Sequence, residues 1–286
     1  MKYCCQMHIR SLKRLMIILL GILLIDGCAT VHKAERPLKP EPVPELRPGL
    51  MKGYLDQKDL PDSLALIPAV PESDSAEFAL DQAVNQSHLK LRGTVRWNLA
   101  IEDANLHFPE AAGTFSCSIN APITEAETPY LYQLLRRVIM DAGWTTFKAK
   151  DEYDRDRPFG QNKEPICTPK DKLKLKLSGS YPSGHTAIGW AWALILSELA
   201  PDRLEKIKAR GRAFGESRGV CNVHWQSDIK EGRTVGAAVV AKLHQDTGFL
   251  YDLAAAKEEM AAVRAKNLPP TRDCQAETAA LEFKSE

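Results

Sequence analysis

Between Ser73 and Met260 apolar residues recur at three- and four-residue intervals, and alternating β-branched runs are few. That spacing lays one apolar stripe along each of a succession of helices. It predicts helices over Ala76–Leu91, Thr94–Leu106, Glu125–Asp141, His185–Leu199, Asp202–Glu216 and Ser227–His244, hence an all-α fold. Thr124-Glu125-Ala126-Glu127 fits a capping box ahead of the third helix, and Gly143 suits its end. No internal repeat is present.

Upstream the pattern differs in kind. Lys2, Arg10, Lys13 and Arg14 precede an unbroken apolar run from Leu15 to Ile25, the arrangement of a secretory signal. The run is shorter than the roughly 20 residues a membrane-spanning helix needs, and no other stretch approaches that length, so the mature protein is expected not to span a membrane. Leu24-Ile25-Asp26-Gly27-Cys28 resembles a bacterial lipobox, which makes residues 1–27 a signal peptide and Cys28 a lipidation site. Asp26 departs from that motif, and ordinary cleavage nearby is the alternative. Ala29 after the cysteine implies outer-membrane sorting, so the expected location is periplasmic, anchored through Cys28. From Val31 to Asp62, Pro37, Pro40, Pro42, Pro44 and Pro48 alternate with charges and no period is sustained. Residues 28–62 therefore read as a semi-extended tether, residues 63–265 as the helical domain and residues 266–286 as a tail.

Composition narrows the function classes. The 286 residues are 44% hydrophobic and 26% charged, which gives apolar mass for a sizeable core and excludes a fibrous or wholly disordered chain. With 38 Lys+Arg against 37 Asp+Glu and no basic block, nothing offers an electrostatic footprint for nucleic acid. Of seven cysteines, Cys4 and Cys5 leave with the signal and Cys28 would be acylated. That places Cys117, Cys167, Cys221 and Cys274 in an oxidising compartment, where three pairings are open.

Three segments gather phosphate-binding residue types. In Lys150-Asp-Glu-Tyr-Asp-Arg-Asp-Arg157-Pro158, a continuous helix would set Lys150 and Arg157 on one face, with Pro158 ending the run. In Gly179-Ser-Tyr-Pro-Ser183-Gly184-His185-Thr186, a small-residue turn opens a strongly apolar helix and so presents free backbone N–H groups to an anion. In Ser217-Arg218-Gly-Val-Cys-Asn-Val-His224-Trp-Gln-Ser-Asp228, the carboxylate lies four residues after the imidazole and can hold its Nδ1–H, leaving Nε2 to attack. Taken singly, each has a plainer reading: a solvated charged face, an ordinary N-cap, a structural histidine. Cys221, within the third segment, is either half of a disulfide stiffening the loop or an inert thiol.

Together the segments resemble the signature of the type 2 phosphatidic acid phosphatase and vanadium haloperoxidase superfamily: Lys-x6-Arg-Pro, Pro-Ser-Gly-His, and Ser-Arg-x5-His-x3-Asp. Gly179–Ser197 and Gly215–Asp228, with Ser63–Pro71 and Glu102–Asn105 upstream, are similar to the secreted bacterial class A non-specific acid phosphatases from about Asp62 to Arg264. The resemblance implies a compact helical bundle and a phosphatase acting on small-molecule phosphate monoesters. It makes His224 the nucleophile that becomes a phosphohistidine, Asp228 its orienting group and His185 the general acid and base. Lys150, Arg157, Ser183, Gly184 and Arg218 would bind the phosphoryl oxygens. It also implies a homo-oligomer; phosphotransfer to alcohols in place of water is left open as a side activity, and no cofactor is expected.

The competing readings are a vanadate-dependent haloperoxidase, a membrane lipid phosphatase and a phosphate-binding surface lipoprotein without turnover. A passive anion receptor has no use for two histidines and an orienting aspartate. No metal is expected, because no His-x-His, Cys-x-x-Cys or Glu-x-x-His spacing accompanies these histidines and three cations stand among them. His88, His107 and His244 lack motif partners, and Trp190 and Trp192 read as core behind His185.

Overall fold

The structure, a computed structural model, describes residues 36–283, so the signal segment and Cys28 lie outside the described residues. Its labelled helices are α1 (Ala76–Leu89), α2 (Val95–Asp103), α3 (Pro129–Thr145), α4 (Phe147–Tyr153), α5 (Pro158–Asn162), α6 (Lys172–Lys176), α7 (Gly184–Leu199), α8 (Leu204–Val220), α9 (Gln226–Leu243), α10 (Thr247–Ala265) and α11 (Cys274–Glu282). Single helical turns at Ser63–Leu66 and Ser116–Ile119 and several 3-10 turns join them. The described β-structure is a small antiparallel ribbon of β1 (Glu45–Arg47) and β2 (Leu50–Met51). The fold is all-α, as expected.

Helix α7 is apolar on nearly every side because it is the central element, packed by α8, α9 and α3. Ala187, Ala191, Trp192, Ile195 and Leu196 are fully or almost fully buried on it, and Trp192 donates its indole N–H to the Leu135 carbonyl of α3. Close approach of α9 depends on Gly232, where a Cβ would stand 2.6 Å from the Ser183 carbonyl oxygen. The helix carrying Asp228 is thereby seated on the turn that opens α7. None of the described helices is long and apolar enough to cross a membrane.

Four boundaries differ from the pattern reading. The capping-box residues form a turn of their own: Thr124 Oγ1 accepts from Glu127 N (3.1 Å), Thr128 Oγ1 donates to the Thr124 carbonyl (3.0 Å), and α3 starts only at Pro129. Proline at the first helical position costs no hydrogen bond and fixes the start there. Gly143 lies inside α3, not at its end. Helix α10 continues the chain beyond His244, capped by Asp246 accepting from Phe249 N (2.8 Å). The chain from Lys150 to Arg157 is not one helix, because α4 stops at Tyr153, Asp154 is left-handed (φ 34°), and Pro158 begins α5 instead of ending a run.

Composition also misplaces both domain edges. Within the supposed tether, Met51 and Tyr54 are buried, Asp141 of α3 accepts from Tyr54 N (2.9 Å) and Leu55 N (3.0 Å), and Tyr54 Oη donates to Asp252 (2.7 Å). The supposed tail forms α11, held by a Cys117–Cys274 disulfide and by Arg210 Nε donating to Glu277 (3.2 Å). A proline-rich segment or a short C-terminal stretch shows no period when it docks through a few anchors.

The second disulfide, Cys167–Cys221, closes a loop of 54 residues and ties the chain just before His224 to the segment after α5. Beside it Asn222 is left-handed (φ 60°) and exchanges side-chain hydrogen bonds with Asn85 and Asn162. Replacing both Cys167 and Cys221 by serine should lower unfolding stability by about 4 kcal/mol, the loop-closure value for that size. Chemical denaturation of the oxidised protein and the variant reads it. An unchanged midpoint would show that the bond constrains nothing.

Candidate active site

The site is assembled where the turn before α7, the start of α9 and the chain around α4 and α5 meet. Ser183 caps α7: its Oγ accepts from Thr186 N (3.3 Å) and Thr186 Oγ1 (2.9 Å), so the serine's own hydrogen is left to donate elsewhere. Ala187 N bonds the Ser183 carbonyl, and the first-turn N–H groups of Gly184 and His185 have no partner within the helix. Ser183 N donates to the Asp228 carbonyl (2.9 Å), which joins the second segment directly to the third.

His224 precedes α9 and Asp228 lies in its first turn. Asp228 Oδ2 faces His224 Nδ1 at 3.2 Å and accepts from Trp225 N at 2.8 Å. His224 Nε2 stands 3.1 Å from Arg157 Nη1. A guanidinium can only donate, so Nε2 is the accepting nitrogen and Nδ1 carries the hydrogen given to Asp228.

Lys150 and Arg157 do not share a helix face, yet they converge. Lys150 Nζ donates to the carbonyls of Gly179 (2.7 Å) and Ser180 (3.2 Å), and Arg157 Nη2 donates to the same Gly179 carbonyl (3.2 Å). Arg157 also reaches Leu175 O (2.8 Å) and Val223 O (2.9 Å), so it ties α6 to the residue just before His224. Gly179 permits this crossing, since a Cβ there would lie 2.5 Å from the Lys150 carbonyl oxygen.

Arg218, near the end of α8, is 2% exposed, and its Nε and Nη1 have no hydrogen-bond partner among the described residues. Orphaned donors on a buried cation are expensive unless an anion is meant to meet them. Behind it, Ser217 Oγ donates to Asp103 (2.7 Å), which also receives Arg210 Nη1 (3.1 Å), so α8 is braced against α2.

His185 places Nε2 at 3.0 Å from the Ala104 carbonyl. A carbonyl only accepts, so Nε2 carries hydrogen and Nδ1 is the nitrogen left to exchange a proton. Burial, then the Arg218 charge, hold His185 well below the usual imidazole range, and His224 and Arg157 act on it in the same direction. Burial, then Arg157, Lys150 and Arg218, depress His224 likewise. The two imidazoles thus sit in one field of fixed positive charge. Burial and the Arg157 charge also push Lys150 down to about 7, while burial brings Arg157 and Arg218 to about 10. An oxyanion entering this field would reverse every one of these charge effects.

The structure therefore brings together Lys150, Arg157, Ser183, Arg218, His224 and Asp228, with Gly184 and His185 on the adjoining helix start. Sequence reasoning missed Arg155 and Asp81, which support Asp228 from behind. Arg155 lies inside the first segment but off its signature positions, and Asp81 is 147 residues before Asp228. Among the described residues, no group of three or more His, Cys, Asp or Glu side chains is placed to hold a metal ion.

The PAP2 superfamily model matches residues 131–250, which span α3 to the start of α10 and all three segments. Over 212 residues, 74% of this chain and 86% of the relative, it is 44% identical to the non-specific acid phosphatase of Providencia stuartii. The acid phosphatase of Zymomonas mobilis is 39% identical over 203 residues, 71% of this chain and 77% of that protein. The Salmonella typhimurium non-specific acid phosphatase is 37% identical over 195 residues, 68% and 78%. The chain belongs to the acid phosphatases of the PAP2 superfamily, and it is an enzyme, a phosphoric monoester hydrolase.

Proposed function

We propose that this enzyme hydrolyses phosphate monoesters in two displacements through a phosphohistidine. In the first, His224 Nε2 attacks phosphorus as the ester P–O bond breaks, and His185 gives its proton to the departing alkoxide. In the second, a water oxygen bonds phosphorus as the P–N bond breaks, His185 takes the proton that the water gives up, and inorganic phosphate leaves. Asp228 accepts from Nδ1–H throughout, which stabilises the positive ring that forms when Nε2 bonds phosphorus. Attack and departure are roughly in line, so nucleophile and acid must come from different elements, as His224 and His185 do.

Lys150, Arg157, Arg218, Ser183 Oγ and the Gly184 N–H are proposed to take the equatorial oxygens. These charges offset those of the transferring group without requiring a divalent ion. The observation that carries the reading is Arg218, buried with two donors that no described residue satisfies. An alcohol replacing water in the second displacement would give phosphotransfer as a side activity.

Aryl phosphate hydrolysis at acidic pH is expected to persist in excess chelator and to be inhibited competitively by vanadate, which takes the shape of the transferring phosphoryl group. Activity that chelator abolishes and metal restores would overturn the metal-independent reading. Both disulfides fit an exported protein, and we place it in the periplasm, held to the outer membrane through Cys28. Incorporation of labelled palmitate that Cys28→Ser abolishes would support that anchor, and unchanged labelling would count against it.

A further inference from the structure

Asp228 Oδ2 is engaged by His224 and Trp225, which leaves the question of what holds Oδ1. Arg155 does so: its Nη1 lies 2.6 Å from Asp228 Oδ1 and 2.7 Å from Ser227 Oγ. The other arm, Nη2, donates to Asp81 Oδ2 at 2.8 Å. Asp81, on α1, accepts from Ser227 N (2.7 Å) and Ser227 Oγ (2.5 Å), so it grips the first turn of α9 as well as the guanidinium. The Arg155 side chain is 8% exposed, Asp81 1% and Asp228 0%. Three rings surround the guanidinium carbon, Trp225 at 5.6 Å and Phe78 and Tyr181 at 5.9 Å from their centroids. One buried cation thus lies between two buried carboxylates, fixed on all sides, one layer behind the nucleophile.

Resting on the proposed role of His224, we infer that Arg155, locked by Asp81, is the positioning residue that keeps Asp228 ionised and turned toward His224 Nδ1. A buried carboxylate without a cation takes up a proton and then no longer serves as a full negative acceptor for an imidazole that must become positive. Burial raises the proton affinity of Asp228 above the usual carboxylate range, and Arg155, then the Trp225 N–H and Lys150, oppose that rise; His224 faces Oδ2, and Arg157 and Tyr181 also lie within reach of its charge. Lys150 and Arg157 are engaged with carbonyls and with the phosphoryl site, so neither replaces Arg155 at Oδ1. Asp81 balances the guanidinium and anchors it, which prevents Arg155 from swinging into the site as one more phosphate ligand.

The test compares Arg155→Met, Arg155→Lys and Asp81→Asn with wild type and His224→Ala, using aryl phosphate across pH and checking fold by circular dichroism. Arg155→Met should lower kcat about 10- to 100-fold, by analogy with the loss on removing the partner behind a metal-bound histidine, with KM little changed. Removing the cation raises the Asp228 proton affinity, so the acid limb of the kcat profile should move to higher pH. Arg155→Lys retains the charge and should keep the acid limb near wild type with an intermediate kcat. It also carries the test if the methionine variant does not fold. Asp81→Asn should show a smaller loss in the same direction. A folded Arg155→Met with wild-type kcat and profile, or equal kcat losses in the Met and Lys variants with no shift of the acid limb, would overturn the inference while His224→Ala stays inactive. Retained turnover in His224→Ala would instead overturn the nucleophile assignment beneath it.

Discussion

His224→Ala should lose turnover by about 10⁴-fold or more on every phosphate monoester, because no other group at the site can form the covalent intermediate. With the ring gone, Asp228 still holds Trp225 N on Oδ2 and Arg155 on Oδ1, and Ser183 Oγ stays in the cap of α7. Binding should suffer much less than turnover. Lys150, Arg157 and Arg218 remain, and Arg157 Nη1, which stands 3.1 Å from Nε2 in the native protein, gains a donor for the ligand when the ring is removed. Calorimetry with inorganic phosphate should therefore find retained affinity in a variant without activity. An active variant, or one that fails to bind phosphate, would contradict this division between nucleophile and anion site.

His185→Ala should separate substrates by leaving group. An alkoxide must be protonated as it departs, so alkyl phosphates should lose about 10²–10⁴-fold, the range for a general acid. Acidic phenols depart unaided, and aryl phosphates should lose far less in the first displacement. The pH dependence has a definite sign. Burial and the Arg218, His224 and Arg157 charges disfavour the protonated ring, so the acid form of His185 is present only on the acidic side until a phosphoryl dianion offsets those charges. Wild-type alkyl phosphate turnover should thus fall as pH rises through the His185 titration, and that descending limb should vanish in the variant. Equal losses on both substrate classes, or a descending limb unchanged in His185→Ala, would remove His185 from the acid role.

The parts of the fold legible in the sequence are those with a sustained period and a local stop signal. Helix α7 is read almost to the residue because Ser183 caps it and its whole length is apolar. In the second and third segments the short spacings are legible because a helix start fixes them, as it does for Ser183 and Thr186 at α7 and for His224 and Asp228 at α9. What escapes is long-range. Lys150 and Arg157 meet through a carbonyl on a third segment, Gly179, so the helical face inferred from their spacing is absent even though the two cations come together. Asp81 sits on an ordinary amphipathic helix, and only the fold places it against Arg155. Tyr54 and Cys274 help tie down the two ends of the domain through a few anchors that no periodicity announces.

The most direct measurement is rapid acid-free quenching of the enzyme during turnover of a labelled phosphate monoester, followed by peptide mapping. The account predicts a base-stable, acid-labile phosphoryl group, up to one per active site, on the peptide carrying His224. Label that never appears during steady turnover, or that maps to Asp228, Ser183 or His185, would contradict it.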